Sequence, residues 1–557
     1  MKRLFFVCSM MLCMGILQRS YSQTPVSTPA PDTVRILDFK HADRLAYKKV
    51  DSTNEIVTAA GKVVFQDGKT LFYADSAIHN KNLRTLEAFG NVHIIDNDTI
   101  HIRSQYLIYY IDKRQAYVKK KASMTDGKGL LTSDEIFYDS NLKLGTYNNG
   151  GKVVNGSTVL TSKEATYYSE LKDVYFKRDV KLKNPGYDIT TDSLLYNTQS
   201  QVATFITKTL IIDSNKSQIT TSDGFYDLKS KVAKFGKRTV IKDKALTVTG
   251  EDMDIDDKTG IFIATGNAVL IDTSQGVSVI ANKIRANRLN NTFTATEHPL
   301  MIIRQDKDSV YLTADTLFAG KLSEFEKQSG IEPMKDTLKS VASINAEDSA
   351  NRDRYFQGFH HVRIFTDSLQ AVSDSLFYSG RDSIFKLFIN PIVWASNSQI
   401  TGDTIYLFTK NKKPDHLYVF ENAMVIEKSA ENLYNQIKGN TLNGYFDDGY
   451  INFMRVRGSA ESVYFAKDDK QAFVGMNTAH AEIIDMFFKD KKLDRIVCRN
   501  DATGSLYPMN QIPEDKKLLN NFKWQEQKRP KTKFELFEDA PVIKPDVPAG
   551  SAVSLKL

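Results

Sequence analysis

Cysteine, tryptophan and proline are scarce in this 557-residue chain, which has three, two and 14 of them. Cys8 and Cys13 both fall within the first 22 residues. There Lys2 and Arg3 precede an apolar run from Leu4 to Leu17, and Ser20-Tyr21-Ser22 offers small residues where a signal peptidase reads. Residues 1–22 therefore read as a secretory signal cleaved before Gln23. The run is too short for a membrane span, and neither cysteine lies in a lipoprotein-type cleavage box. Only Cys498 then remains, which excludes an internal disulfide even in an oxidising compartment.

Long apolar runs are absent after residue 22, so the mature chain is expected to be soluble or peripheral. Strong charge is lacking as well. The formal charge of +7 falls to +4 once Lys2, Arg3 and Arg19 leave, which gives no nucleic-acid footprint. Zinc-type histidine spacing, a nucleophile elbow and a phosphate-cradling glycine loop are all missing. His360 and His361 are adjacent and would point to opposite faces of a strand. Asp256-Asp257 and Asp468-Asp469 fall in expected turns. The sequence therefore predicts no catalytic group, no metal and no cofactor.

What is present is strand-forming: 32 Phe and 25 Tyr, with Thr, Val and Ile throughout. One short phrase recurs thirteen times between residues 73 and 481, mostly at intervals close to 29. It is a small or polar pair, a marker position, a free position and an apolar residue, as in Thr132-Ser133-Asp134-Glu135-Ile136 or Val372-Ser373-Asp374-Ser375-Leu376. The marker is Asp75, Ser104, Asp134, Lys163, Asp192, Asp223, Glu251, Asn282, Asp315, Asp374, Asp403, Asn440 and Asn477. Two positions later stand Ala77, Tyr106, Ile136, Ala165, Leu194, Phe225, Met253, Ile284, Leu317, Leu376, Ile405, Leu442 and Ala479, all apolar. Such alternation predicts a strand with one inward face. A fixed period predicts a stack of equal units in place of one globular core.

A second strand follows about 14 residues after each marker strand, as in Phe89-Gly90-Asn91-Val92-His93-Ile94 and Thr265-Gly266-Asn267-Ala268-Val269-Leu270. Two strands and two turns per unit predict two facing sheets with apolar rows between them. The marker slot tolerates Ser, Lys, Asn and Glu, so a metal or catalytic role is excluded. Its expected role is to bond backbone amides where a strand begins. The interior rows leave two arrangements open: a closed dry core, or sheets splayed along one edge into an apolar trough.

The expected organisation is a signal at 1–22, a linker and lead-in at 23–44, repeats at 45–320, a charged insertion at 321–353, further repeats at 354–508 and a poorly ordered tail at 509–557. The insertion is read as a projecting loop or short helix.

The pairing of a Thr/Ala-Asp strand with a Gly-Asn-Val/Ala strand, behind a signal, resembles the LptA/OstA family of lipopolysaccharide-transport proteins. Gly90-Asn91-Val92, Gly266-Asn267-Ala268 and the marker strands at Asp134, Asp192 and Asp315 carry the likeness. The resemblance implies an all-β, twisted open jellyroll in the periplasm, holding the acyl chains of lipopolysaccharide or a related glycolipid. It also implies end-to-end stacking with other transport components or with copies of itself, and no covalent chemistry. Phase in the repeat makes Ile136, Leu194, Phe225, Met253, Ile284, Leu317, Leu376 and Ile405 the candidates for acyl contact. The array is longer than in a short LptA-like protein and is interrupted at 321–353, and residues 511–557 are not expected to form an outer-membrane barrel. The alternative is a secreted β-solenoid with a dry core, binding glycan or acting as a structural or adhesin element.

Overall fold

The computed structural model describes residues 36–49, 55–304, 309–329, 352–410, 413–447, 450–468, 470–490 and 492–537. The expected signal, most of the insertion and residues 538–557 lie outside them. The chain divides into two compact units, Met1–Met124 with Glu135–Leu142, and Thr125–Asp134 with Lys143–Leu557. Both are built from antiparallel strands joined by short turns. Among the described residues no helix is long and apolar enough to cross a membrane.

In the larger unit, strand pairing follows two ladders. One takes Glu164–Tyr168, the first half of Asp173–Asn184, the second half of Tyr187–Asn197 and Val202–Phe205, and continues in the same manner. The other takes Thr158–Ser162, the second half of Asp173–Asn184, the first half of Tyr187–Asn197 and Thr209–Asp213. Each long strand thus belongs to both ladders and changes ladder at its middle. The smaller unit is built alike. Arg44–Lys49 extends one ladder and Asp38–His41 the other, both paired with Glu55–Asp67. Pairing therefore begins at residue 38, within the stretch expected to be a linker.

The change of ladder has a fixed local cause. Lys177 pairs with Ser193 and Val180 with Thr191, so Arg178 and Asp179 stand together opposite Asp192 alone. This is a β-bulge, two residues facing one, and it bends the strand. Both bulge residues have positive φ, +60° and +53°. The same geometry places Gly266-Asn267 opposite Asn282 and His360-His361 opposite Asp374. The marker is therefore the single residue facing a corner. The small residue before it has its own task. The hydroxyls of Ser104, Thr191 and Ser373 donate to the carbonyls of Tyr106, Ser193 and Ser375, two positions on, at 3.0, 3.3 and 3.1 Å.

This rule corrects two expected markers. Val92 pairs with Ser104 and Phe89 with Tyr106, which leaves Gln105 facing the Gly90-Asn91 corner. Near the C-terminus Asn477 pairs regularly with Tyr464, while Glu482 faces Gly458-Ser459. The inward residues there are Leu107 and Ile484, both fully buried, where Tyr106 and Ala479 were expected.

Two further segments depart from the expectation. The insertion begins as an α-helix, Leu322–Ser329, and Arg381 grips its Glu326 at 2.6 and 3.1 Å. Residues 509–537, expected to be poorly ordered, form a strap of short 3-10 turns. The strap is held by glutamines of the second ladder. Gln436 donates to the Lys517 carbonyl and accepts from the Leu519 N–H, both at 2.8 Å. Gln399 does the same to Lys523 and Gln525, at 2.7 Å each. Both glutamines are buried, and Trp394, paired between Gln399 and Gln370, is fully covered.

Candidate functional site

The first ladder carries one unbroken row of directly paired residues. It runs Ala165, Phe176, Leu194, Phe205, Gly224, Phe235, Met253, Ala264 and Ile284. It continues through Ala295, Leu317, Gly358, Leu376 and Leu387 to Ile405. Directly paired residues point to the same face, so the row is one continuous apolar wall. The second ladder presents its own row, for example Leu270, Val279, Met301 and Leu312. The interior lies between them.

Six of the eight expected contact residues face this interior, and Ile136 is buried within the smaller unit. Leu194, Met253, Ile284, Leu317 and Ile405 are fully buried in the larger unit, Leu376 is 2% exposed, and Ile136 is 1% exposed in the smaller. Phe225 is the exception: it is 37% exposed and lies off the row. Ser222 and Asp223 both sit at this corner, because Phe205 pairs with Gly224 and Thr209 with Thr221. The spacing from Thr221 to Gly224 equals that from Thr191 to Leu194, so Ser222 holds the marker position expected for Asp223, and Gly224 stands on the row. Only glycine fits there: φ is +120°, and an added Cβ would come within 2.1 Å of the Lys234 carbonyl oxygen. The neighbouring rings of Phe205 and Phe235 meet beside it, 6.0 Å apart.

The interior has two unlike margins. At the corner margin the two ladders are joined by the chain itself, and marker side chains pair with bulge side chains. Examples are Asn91 to Asp75 at 2.9 Å, Lys163 to Asp179 at 2.9 Å and His361 to Asp315 at 2.9 Å. These are exposed contacts of small energetic weight.

The turn margin is held by side chains. In the smaller unit the Tyr109 hydroxyl donates to Asp67 at 2.6 Å and the Tyr138 hydroxyl to Asp96 at 2.5 Å. Each pair is separated by 42 residues. Each aspartate ends a second-ladder strand and each tyrosine lies four positions beyond a marker-type residue, Gln105 or Asp134. Burial, then the bond to the carboxylate, pushes both phenols far above their ordinary pKa. In the larger unit Lys172 reaches Asp126 at 2.6 Å, and the Asn155 amide donates to the Thr198 carbonyl at 2.6 Å. Tyr167 is buried beside Asp126, which contributes to the rise in its pKa, desolvation being the larger cause. Sequence reasoning missed this margin, although the turns at Asp67, Asp96, Asp126 and Asn155 recur at intervals of 29, 30 and 29.

Among the described residues no cluster of three or more His, Cys, Asp or Glu could hold a metal ion. The arrangement offers an apolar interior bounded by covalent corners and polar side-chain contacts.

Comparison with known proteins agrees with the repeat architecture. The family model of OstA-like proteins matches twice in succession, at residues 35–192 and 188–251. One similar solved structure is LptH of Pseudomonas aeruginosa, the LptA homologous periplasmic component of the conserved lipopolysaccharide transport device. It is 13% identical with a TM-score of 0.19, over 26% of this chain and 82% of that one. No curated protein matches the chain. The two successive matches make residues 35–251, a little over a third of the chain, similar to OstA-like proteins.

Proposed function

We propose that this is a periplasmic lipid-binding bridge protein that carries lipopolysaccharide towards the outer membrane without covalent chemistry. The acyl chains would lie between the two ladders against Leu194, Met253, Ile284, Leu317, Leu376 and Ile405, and against Ile136 in the smaller unit. The observation that carries this reading is the continuous apolar wall bounded on one margin by side-chain contacts alone. Parting that margin would expose the wall and leave the backbone ladders intact. Releasing two hydrogen bonds to carboxylates costs about 3–6 kcal/mol. Burying an alkyl chain of roughly twelve methylenes returns about 10 kcal/mol. Cargo of this chemistry can therefore hold the margin open.

Edge strands support assembly into a bridge. Arg44–Lys49 is exposed along its whole length, and Thr503–Pro508 nearly so. Unpaired edges of this kind accept further strands, either from other transport components or from a second copy.

A secreted solenoid with a dry core is the competing reading, favoured by the near-complete burial of the inward row. Photo-crosslinking separates the two. A crosslinker at Leu194, Ile284 or Leu317 in cells should capture lipopolysaccharide, and one at the exposed Lys283 or Arg285 should not. Lipid absent from every inward position would leave the solenoid standing.

A further inference from the structure

We propose that the C-terminal edge of the first ladder takes an acidic strand from a different protein and rejects a second copy of this chain. The proposal rests on the reading above, that exposed edges join the chain into a bridge, and adds which strand fits. Three observations support it.

The first is an unfinished wall. The inward row continues from Ile405 through Val419, Leu442, Val456 and Ile484 to Cys498. Every member up to Ile484 is fully buried, whereas Cys498 is half-buried. It lies on Lys492–Arg499, which pairs with Phe473–Lys489 on one side and, among the described residues, with no strand on the other. An apolar side chain from one more strand would complete the row.

The second is charge on the outer face of that strand. Arg495, Val497 and Arg499 pair with Phe487, Asp485 and Ile483, and they alternate with the inward Ile496 and Cys498. Arg495 lies over the Phe487 ring at 4.5 Å, and among the described residues no carboxylate pairs with it. Arg499 reaches Asp485 at 2.9 Å, but that buried carboxylate already accepts two bonds from Arg455, at 2.7 and 2.9 Å. Asp494 is the extra residue of a bulge beside Phe487 and leaves the regular ladder. The outer face of this edge is therefore short of negative charge. Residues directly opposite on neighbouring strands interact, unlike charges favourably and like charges unfavourably. The strand that fits carries Asp or Glu opposite both Arg495 and Arg499, with three apolar residues between them.

The third observation excludes self-stacking. The exposed first-ladder edge that another copy offers is Arg44–Lys49, whose inward Leu45 and Tyr47 pair with Ala59 and Val57. Its outer residues are Arg44, Ala46 and Lys48. The spacing is the required one, charge at both ends of an apolar triplet, but both charges have the wrong sign. Two copies of Lys492–Arg499 laid antiparallel about Val497 fare no better, since each Arg495 then faces an Arg499. Like charges set opposite each other guard an edge against unwanted pairing.

The test reverses the charges of the other edge in the full chain. Sedimentation velocity at micromolar concentration should show the wild-type chain as a monomer. Arg44→Glu with Lys48→Glu should produce head-to-tail oligomers in low salt, through contacts about tenfold tighter than in the wild type. Adding Arg495→Glu should dissolve them, an outcome that a merely unfolded Arg44–Lys49 strand would not give. Labelled peptides supply a second measurement that needs no variant. A peptide carrying Glu-Leu-Ala-Tyr-Glu should bind the wild-type chain, and one carrying the native Arg-Leu-Ala-Tyr-Lys should not. Self-association of the wild-type chain, or equal binding of the two peptides, would overturn the proposal. If the reversed variant stays monomeric while lipopolysaccharide is still captured at Ile284, the edge rule falls and the conduit stands. Association as expected, with no lipid at any inward position, would leave the edge rule standing and sink the conduit.

Discussion

The hydroxyl of Tyr138 reaches the carboxylate of Asp96 across 2.5 Å, although the two lie 42 residues apart and on opposite walls of the interior. Asp96 is 1% exposed, so a lost donor cannot be replaced freely by water. Tyr138→Phe should destabilise the smaller unit by about 2 kcal/mol. Urea denaturation would show this as a lower midpoint, and an unchanged midpoint would mean that the bond contributes nothing.

Alkali should act through the same residues. Burial raises the pKa of Tyr109 and Tyr138 far above the ordinary value, and that of Tyr147 and Tyr196 to about 12. The folded chain keeps these phenols neutral, while in the unfolded chain they ionise near pH 10. Unfolding then releases protons, so stability is intact below about pH 10 and declines as pH rises beyond it. Phenolate absorbance of the buried set should appear together with loss of structure. Smooth titration of every tyrosine near pH 10 in the folded chain would contradict their burial.

Gly224 and Phe225 offer a paired comparison. Gly224→Ala forces a Cβ into a backbone with φ of +120° and against the Lys234 carbonyl, and should cost about 3 kcal/mol. Phe225→Ala, at a side chain 37% exposed, should cost under about 1 kcal/mol. Thermal melts of the two variants would decide, and the reverse order would restore Phe225 to the interior.

The ease with which the fold is read from sequence, and the failure at Phe225, have one origin. Strand alternation and the 29-residue period are local, so the inward position of Leu194, Met253 or Ile284 follows from counting. Counting fails where the marker is taken one position late, as at Asp223 in place of Ser222, because a slip of one residue exchanges inward for outward positions. Marker and corner are visible as Asp75 and Gly90-Asn91, but their pairing two-against-one is a cross-strand property. The strap was illegible for a different reason. Its own composition, with Pro508, Pro513 and Pro530, argues against order. What orders it is a set of glutamines more than 80 residues away, Gln436 and Gln399.

Lys120 and Lys121 occupy a corner where other repeats use Gly-Asn, with φ of +67° and +57°. Left-handed backbone is strained for lysine and free for glycine. Lys120→Gly with Lys121→Asn should therefore stabilise the smaller unit by about 1 kcal/mol. A raised melting temperature with an unchanged circular dichroism spectrum is the expected result. A lowered one would mean that these lysines hold the corner through contacts of their own.

The strap should detach locally if its clasps are removed. Gln399→Leu keeps the bulk of the side chain but leaves the Lys523 carbonyl and the Gln525 N–H without their bonds. The local cost is about 2 kcal/mol. Hydrogen exchange should quicken across residues 519–529 and stay slow in the strands beneath. Uniform protection in the variant would show that Trp394 and its apolar neighbours suffice.

The position of the insertion shows where this architecture can be edited. Lys321 and Arg354 pair directly, so everything between them is in effect an enlarged hairpin turn. The strands on either side keep their partners as though nothing had been added. Foreign sequence placed at a turn therefore hangs outside the stack at no cost to alignment, whereas a single residue added at a corner inverts the next strand. An ancestral array could acquire appendages, or a designer could graft reporter domains, at any turn without disturbing the interior between the walls.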